Sequence, residues 1–107
     1  MKYYNYYSVY GDYNIYFKIK KYYYGNTALQ AYLKNGEPFA SFSVNFDFKF
    51  GDNTIAVDIN NVEHADDMLE QYNIAEPTGL FIKSCFCEYP LMVLTERFIK
   101  ECAEREE

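Results

Sequence analysis

Residues 38–50 read Pro-Phe-Ala-Ser-Phe-Ser-Val-Asn-Phe-Asp-Phe-Lys-Phe. From Ala40 onward the stretch alternates. Ala40, Phe42, Val44, Phe46, Phe48 and Phe50 fall on one parity, and Ser41, Ser43, Asn45, Asp47 and Lys49 on the other. Successive side chains of a strand leave opposite faces, so the pattern predicts one long strand with a buried phenylalanine face and a wet polar face. Phe and Val suit a half-buried pleated surface, and from Ala40 to Phe50 no Gly or Pro interrupts them. The rest of the chain must supply the layer that covers these rings.

On the N-terminal side, Tyr3 to Tyr10 have high strand propensity, and Gly11-Asp12 ends the run as a turn. In Tyr13–Tyr22 the apolar Ile15, Phe17 and Ile19 alternate with Tyr16, Lys18 and Lys20, which predicts a second strand paired with the first as a hairpin. Gly25-Asn26 makes a further turn. Thr27 to Leu33 then reads as a strand with Leu29, Ala31 and Leu33 inward and Gln30 and Tyr32 outward. Asn35-Gly36 is a strong hairpin signal and leads into the Phe-rich stretch, with Pro38 at its start, where a missing N–H is least harmful.

On the C-terminal side, Gly51-Asp52-Asn53 closes that strand. Thr54 to Ile59 predicts another, with Ile55, Val57 and Ile59 inward and Ala56, Asp58 and Asn60 outward. The period then changes. Ala65, Met68, Leu69 and Tyr72 recur at spacings of three and four, a helical stripe capped by Asn60 or Asn61 and closed by a left-handed Asn73. Glu76-Pro77-Thr78-Gly79 reads as a loop and Leu80–Cys87 as a strand. Pro90 divides it from an edge strand at Leu91–Leu94. Thr95 caps a last helix, Glu96–Glu104, with the stripe Phe98, Ile99 and Cys102, and its terminus, Glu104-Arg105-Glu106-Glu107, is expected to fray. The expected fold is α+β: a single domain over residues 1–107, with a mainly antiparallel sheet of five to seven strands packed against one acidic helix, and a short C-terminal helix.

Composition narrows the function. A chain of 107 residues buries roughly 65% of its unfolded surface on folding, enough for one core. With 13 Tyr and 9 Phe it has more large rings than that core encloses. Surplus tyrosines suit an interface, because a flat apolar ring carries a polar tip and freezes few torsions. Tyr3, Tyr4, Tyr6 and Tyr7 are therefore candidate partner-binding residues. No run approaches the ~18 apolar residues of a membrane span, and the first residues lack the aliphatic core of a signal peptide. The expectation is a cytoplasmic protein of the host cell with no membrane contact. Three cysteines are an odd number for a disulfide framework, and Cys85 and Cys87, two apart on one face of a strand, read as buried inert thiols.

The net charge of −6 is unevenly spread. Residues 1–60 carry six Lys and five acids, whereas residues 61–107 carry four basic residues and eleven acids. Between Lys49 and Lys83 lie Asp52, Asp58, Glu63, Asp66, Asp67, Glu70 and Glu76 with no Lys or Arg. On a helix Glu63, Asp66, Asp67 and Glu70 share a face. A row of like charges without partners attracts basic surfaces and speeds encounter with them. Asp58, Glu63, Asp66, Asp67, Glu70 and Glu76 are the second set of candidate partner-binding residues. Direct nucleic-acid binding is not expected, since phosphates demand Lys and Arg and the densest basic cluster is Lys18, Lys20 and Lys21 beside Tyr22–Tyr24.

Nothing marks an enzyme. His64 has no Ser or Cys partner at a motif spacing, no phosphate-cradling glycine loop is present, and one His with a Cys-Phe-Cys sequence does not make a zinc site. No catalytic residue, metal or cofactor is expected.

Two blocks carry a resemblance. Tyr24-Gly25-Asn26-Thr27-Ala28-Leu29-Gln30 with Gly36-Glu37-Pro38-Phe39-Ala40-Ser41-Phe42-Ser43-Val44-Asn45, and then Glu76-Pro77-Thr78-Gly79 with Phe86-Cys87-Glu88-Tyr89-Pro90, resemble a family of small uncharacterised proteins carried by bacterial phages, plasmids and conjugative elements. The likeness covers about residues 22–95. Where relatives often have Arg after Glu-Pro-Thr-Gly, this chain has Leu80. The resemblance implies a genomic setting, and with it an expectation: a non-enzymatic mobile-element protein that binds and inhibits a host defence protein, in the manner of an anti-CRISPR, through its acidic and tyrosine-rich surface. The partner would present a basic, nucleic-acid-binding face. The alternative is an accessory or self-associating structural protein of such an element, a homodimer included, with no defence target.

Overall fold

The computed structural model describes residues 2–23 and 25–105. Tyr24 of the first resemblance block lies outside them, as do Glu106-Glu107 of the predicted frayed end, whose first two residues, Glu104 and Arg105, are instead the last of a helix. The order is β1 (Tyr4–Ser8), β2 (Gly11–Lys21), β3 (Thr27–Leu33), β4 (Pro38–Ser41), β5 (Ser43–Val44), β6 (Thr54–Val57), α1 (Ala65–Gln71), β7 (Ala75–Ser84), β8 (Cys87–Leu94) and α2 (Glu96–Arg105). The fold is α+β as expected, but the eight antiparallel strands form two four-stranded sheets, ordered β1-β2-β3-β4 and β5-β6-β8-β7.

The split falls inside the Phe-rich stretch. At Phe42 the chain leaves one sheet and joins the other: its N–H donates to Leu29 O at 2.9 Å and its carbonyl accepts from Asp58 N at 3.0 Å. The predicted long strand is thus two short ones with a bend between them. Ser43, expected on the wet face, is buried instead. Its hydroxyl accepts from Leu29 N at 2.9 Å and lies 2.9 Å from Tyr22 Oη, so a polar side chain satisfies backbone where the ladders change over. Phe42 is the centre of the core, edge-on to Phe17 at 5.0 Å between ring centroids and 5.8 Å from Tyr6. Leu69 and Met68 of α1 and Phe98 and Cys102 of α2 close over the same core.

Residues 45–50 form no strand. Phe46, Phe48 and Phe50, predicted to continue the buried face, instead gather with centroids 5.6–5.7 Å apart, and Phe46 meets Tyr89 of β8 at 5.8 Å. In strand geometry alternate side chains could not all converge on each other and on a second strand. A coiled segment lets them cover the far side of the second sheet. By alternation Ala56, Leu91 and Tyr89 share the side opposite Ile55 and Met92. This second layer is why Ala56, predicted outward, is buried along with Ile55 and Val57.

Asp58 was also predicted outward and is buried. Its Oδ1 accepts from Asn60 N (3.3 Å) and Asn61 N (3.1 Å), and Oδ2 accepts from Asn61 Nδ2 (3.0 Å). That Asx turn holds Asn60 and Asn61 out of the helix. Helix α1 therefore starts at Ala65, three or four residues later than predicted, behind a left-handed His64 (φ 57°) with no side-chain cap. Its end matches expectation: Asn73 is left-handed (φ 58°), and Asn73 N and Ile74 N donate back to Glu70 O and Leu69 O. Thr95 caps α2 as predicted, accepting from Phe98 N at 3.2 Å.

The largest departure is the β7–β8 hairpin. Glu76 to Gly79, predicted as a loop, belong to β7, with an irregularity between Pro77 and Phe81 where Gly79 adopts φ 83°. Pro90 does not divide β8. β6 pairs with β8 only as far as Leu91, so Pro90 sits where β8 has no neighbour on that side and its missing N–H leaves no ladder bond unmade. The hairpin turns at Cys85-Phe86, between Ser84 and Cys87. Cys85 is consequently exposed and Cys87 half-buried, correcting the expectation of buried thiols, while Cys102 is buried.

Candidate protein-binding surface

The hairpin β1–β2 turns at Val9-Tyr10, two residues before the predicted Gly11-Asp12. Ser8 fixes the turn: its hydroxyl donates to Gly11 O at 3.0 Å and accepts from Tyr10 N at 3.1 Å. On β1 the parity then decides which tyrosines are available. Tyr4 and Tyr6 face the core and are buried, against the expectation that they bind a partner from the surface. Tyr4 packs on Phe17 and Tyr72, and its hydroxyl donates to Glu101 Oε2 at 3.2 Å. Burial, reinforced by the Glu101 carboxylate, pushes the Tyr4 phenol up to about 12. Burial also raises that of Tyr6, whose hydroxyl donates to Glu63 O at 2.7 Å. Tyr3 is half-buried, edge-on to Tyr16. Tyr7 is 59% exposed and Tyr10 89%.

The Tyr6–Glu63 bond and a second one, Tyr72 Oη to Asn5 O at 3.2 Å, hold the acidic segment beside the free edge of β1. Members of the two candidate sets, far apart in sequence, therefore meet along one seam: Tyr6 and Tyr7 with Glu63 and Asp67. One hollow of about 240 Å³ is lined by Tyr6, Tyr10, Tyr13, Phe39, Asn61 and Glu63 among others. A neighbouring one of about 230 Å³ lies between Tyr7 and Asn5 on β1 and His64, Asp67 and Gln71. His64 stands between the acids, Nε2 3.8 Å from Glu63 Oε1 and Nδ1 3.6 Å from Asp67 Oδ2. Asp67 and Glu70 are exposed, and Glu63 and Asp66 are half-buried.

Of the predicted row only Glu63 and Asp67 line these hollows; Asp66 and Glu70 are on α1 but outside both linings, and two members lie elsewhere altogether. Asp58 is buried in its Asx turn, and Glu76 is exposed on β7 opposite Val93. Tyr10 and His64 are the surface residues that the sequence reading left out of its set. The Ser8–Gly11 turn was the signal for Tyr10, since a hairpin tip exposes its side chains. Chemically the seam offers carboxylates, phenol hydroxyls and flat rings, a set suited to cationic side chains, with rings for cation–π contact and carboxylates for Lys and Arg. Among the described residues no group of three or more His, Cys, Asp or Glu is placed to hold a metal ion. No helix among them is long and apolar enough to cross a membrane.

The profile of DUF4313, a domain of unknown function, matches residues 16–106. The chain belongs to the DUF4313 family. The match takes in the second half of β2, β3 to β8, both helices and the acidic half of the seam, and leaves out β1 with Tyr7, the turn with Tyr10 and the start of β2. No curated protein matches the chain. No solved structure matches it.

Proposed function

We propose that this DUF4313 protein is a non-enzymatic binding protein whose seam between β1 and α1 engages the basic, nucleic-acid-binding surface of another protein. In the mobile-element setting that the sequence resemblance implies, that partner is a host defence protein and the binding inhibits it, in the manner of an anti-CRISPR. What carries the reading is the convergence of exposed Tyr7 and Tyr10 with Glu63 and Asp67, since an interface against a basic partner wants aromatic anchors and carboxylates together.

Affinity capture from host-cell lysate tests it. The expected catch is a nucleic-acid-binding protein that added duplex DNA competes away and that a Tyr7→Ser, Tyr10→Ser chain fails to retain. Both residues are exposed, so the variant keeps its core. Capture that is indifferent both to DNA and to the two substitutions rejects the seam as the binding surface.

A further inference from the structure

The β7–β8 hairpin carries a different surface. Beyond Leu91 the β7–β8 hairpin continues without support from β6, as a two-stranded arm from Leu80 to Pro90. Two-stranded hairpins are marginal in water without a face to bury. This one nevertheless exposes Leu80 (64%), Phe81 (59%) and the whole of Phe86 at its tip. With roughly 200 Å² for a large aromatic side chain, the three together leave on the order of 400 Å² of apolar surface on the arm exposed. The arm's charges, Lys83 and Glu88, neutralise each other at 3.3 Å, so nothing on it favours a partner of one sign.

The outer edge of β7 is the free end of its sheet. Around Pro77–Phe81 that edge is blunted by proline and by the irregular pairing, but Phe81 to Ser84 are regular and pair only with β8. Beneath the arm an open concavity of about 490 Å³ runs between its tip and Ile59-Asn60, large enough for an aromatic side chain.

We propose that a second copy of this chain covers the arm, the two molecules pairing about a two-fold axis. Their Phe81–Ser84 edges meet antiparallel and Leu80, Phe81 and Phe86 of each are buried on the other. An antiparallel edge is complementary to itself under two-fold rotation, which is the symmetry of most homodimers. These three side chains supply about half of the roughly 800 Å² each partner buries in a standard interface, and the strand edges and flanking residues supply the remainder. Glu63, Tyr7 and Tyr10 lie outside the paired edges and the three buried side chains, so each copy brings its own seam and the dimer binds a two-site partner with avidity.

Sedimentation equilibrium with reductant present, from micromolar to sub-millimolar protein, tests this. The expected mass is twice 12.7 kDa for the native chain. It falls to the monomer value for Phe81→Ser, Phe86→Ser, with circular dichroism unchanged. A Glu63→Gln, Asp67→Asn chain stays dimeric. The proposal is overturned by a native chain that is monomeric throughout, by a dimer that survives the two Ser substitutions, or by one that forms only without reductant through exposed Cys85. Flotation of a monomeric native chain with phosphatidylcholine vesicles, lost in the double variant, overturns it as well and assigns the arm to lipid.

Discussion

The side-chain amide of Asn26 and the main-chain carbonyl of Phe48 are joined at 2.7 Å across 22 residues of chain. The same buried amide donates to Phe46 O at 3.3 Å and accepts from Phe50 N at 3.1 Å, so one polar side chain holds the whole coiled segment against the sheet. Asn26→Ala removes all three bonds and leaves backbone groups without partners. The expected cost is about 2 kcal/mol, since each buried group left unpaired costs roughly 1–3 kcal/mol and part of this segment can reach water. Urea unfolding checks it, and a lower midpoint at unchanged slope is the expected form.

The bend at Phe42 makes two phenylalanines of one parity unequal. Phe42→Ala empties the centre of the core and should cost about 3–5 kcal/mol. Phe48, half exposed in the satellite cluster, should cost less than about 1 kcal/mol when changed to Ala. Equal losses at the two positions in urea titrations would restore the single continuous strand.

Why the sequence misled there is instructive. Alternation reports that every second residue is apolar, and a strand is only the commonest way to use that. Phe46, Phe48 and Phe50 keep the period without the ladder because Asn26, twenty residues away, supplies the backbone partners that a neighbouring strand would have given. Similarly Asp58 looked like a surface acid until its carboxylate was seen to cap a turn, and Pro90 looked like a break until β6 was seen to stop short of it. Such facts are long-range, and no local window holds them. What was local was legible: the extent of β3 and its turn at Asn35-Gly36, the Asn73 helix end and the Thr95 cap, whereas Tyr16 and Tyr32, expected outward, are buried as Ile15 and Phe17 are, because they stack on each other across β2 and β3. Of the candidate surface, the acids of α1 were visible in sequence. Their meeting with Tyr7 and Tyr10 depended on the bond from Tyr6 to Glu63, which is tertiary.

Tyr4 gives the protein a weakness in alkali. In the folded chain its phenol keeps its proton until about pH 12, whereas in the unfolded chain it is released near 10.0. Above pH 10 the unfolded state therefore binds fewer protons than the folded one, and stability falls as pH rises, the loss being complete beyond pH 12. Thermal melts across that window should show the decline. Tyr4→Phe, which has no proton to lose, should flatten it while sacrificing the bond to Glu101 at neutral pH.

Neutralising the acid row separates an interface from a solvated helix. Glu63→Gln, Asp66→Asn, Asp67→Asn and Glu70→Gln together should leave folding within about 1 kcal/mol of the native chain. Asp66 and Asp67 sit in the first turn of α1, where loss of negative charge forfeits roughly 0.3–1 kcal/mol, and relief of like-charge repulsion returns a similar amount. The seam itself survives, because Tyr6 bonds the main-chain carbonyl of Glu63 and not its carboxylate. Binding to the captured basic partner should weaken mainly through a slower on-rate, and the native affinity should fall with added salt more steeply than that of the variant. Surface plasmon resonance across a salt series reads both. If Tyr7 and Tyr10 carry the interface by ring burial alone, the four substitutions change nothing and the affinity stays flat with salt. A carboxylate contribution requires the two salt slopes to differ.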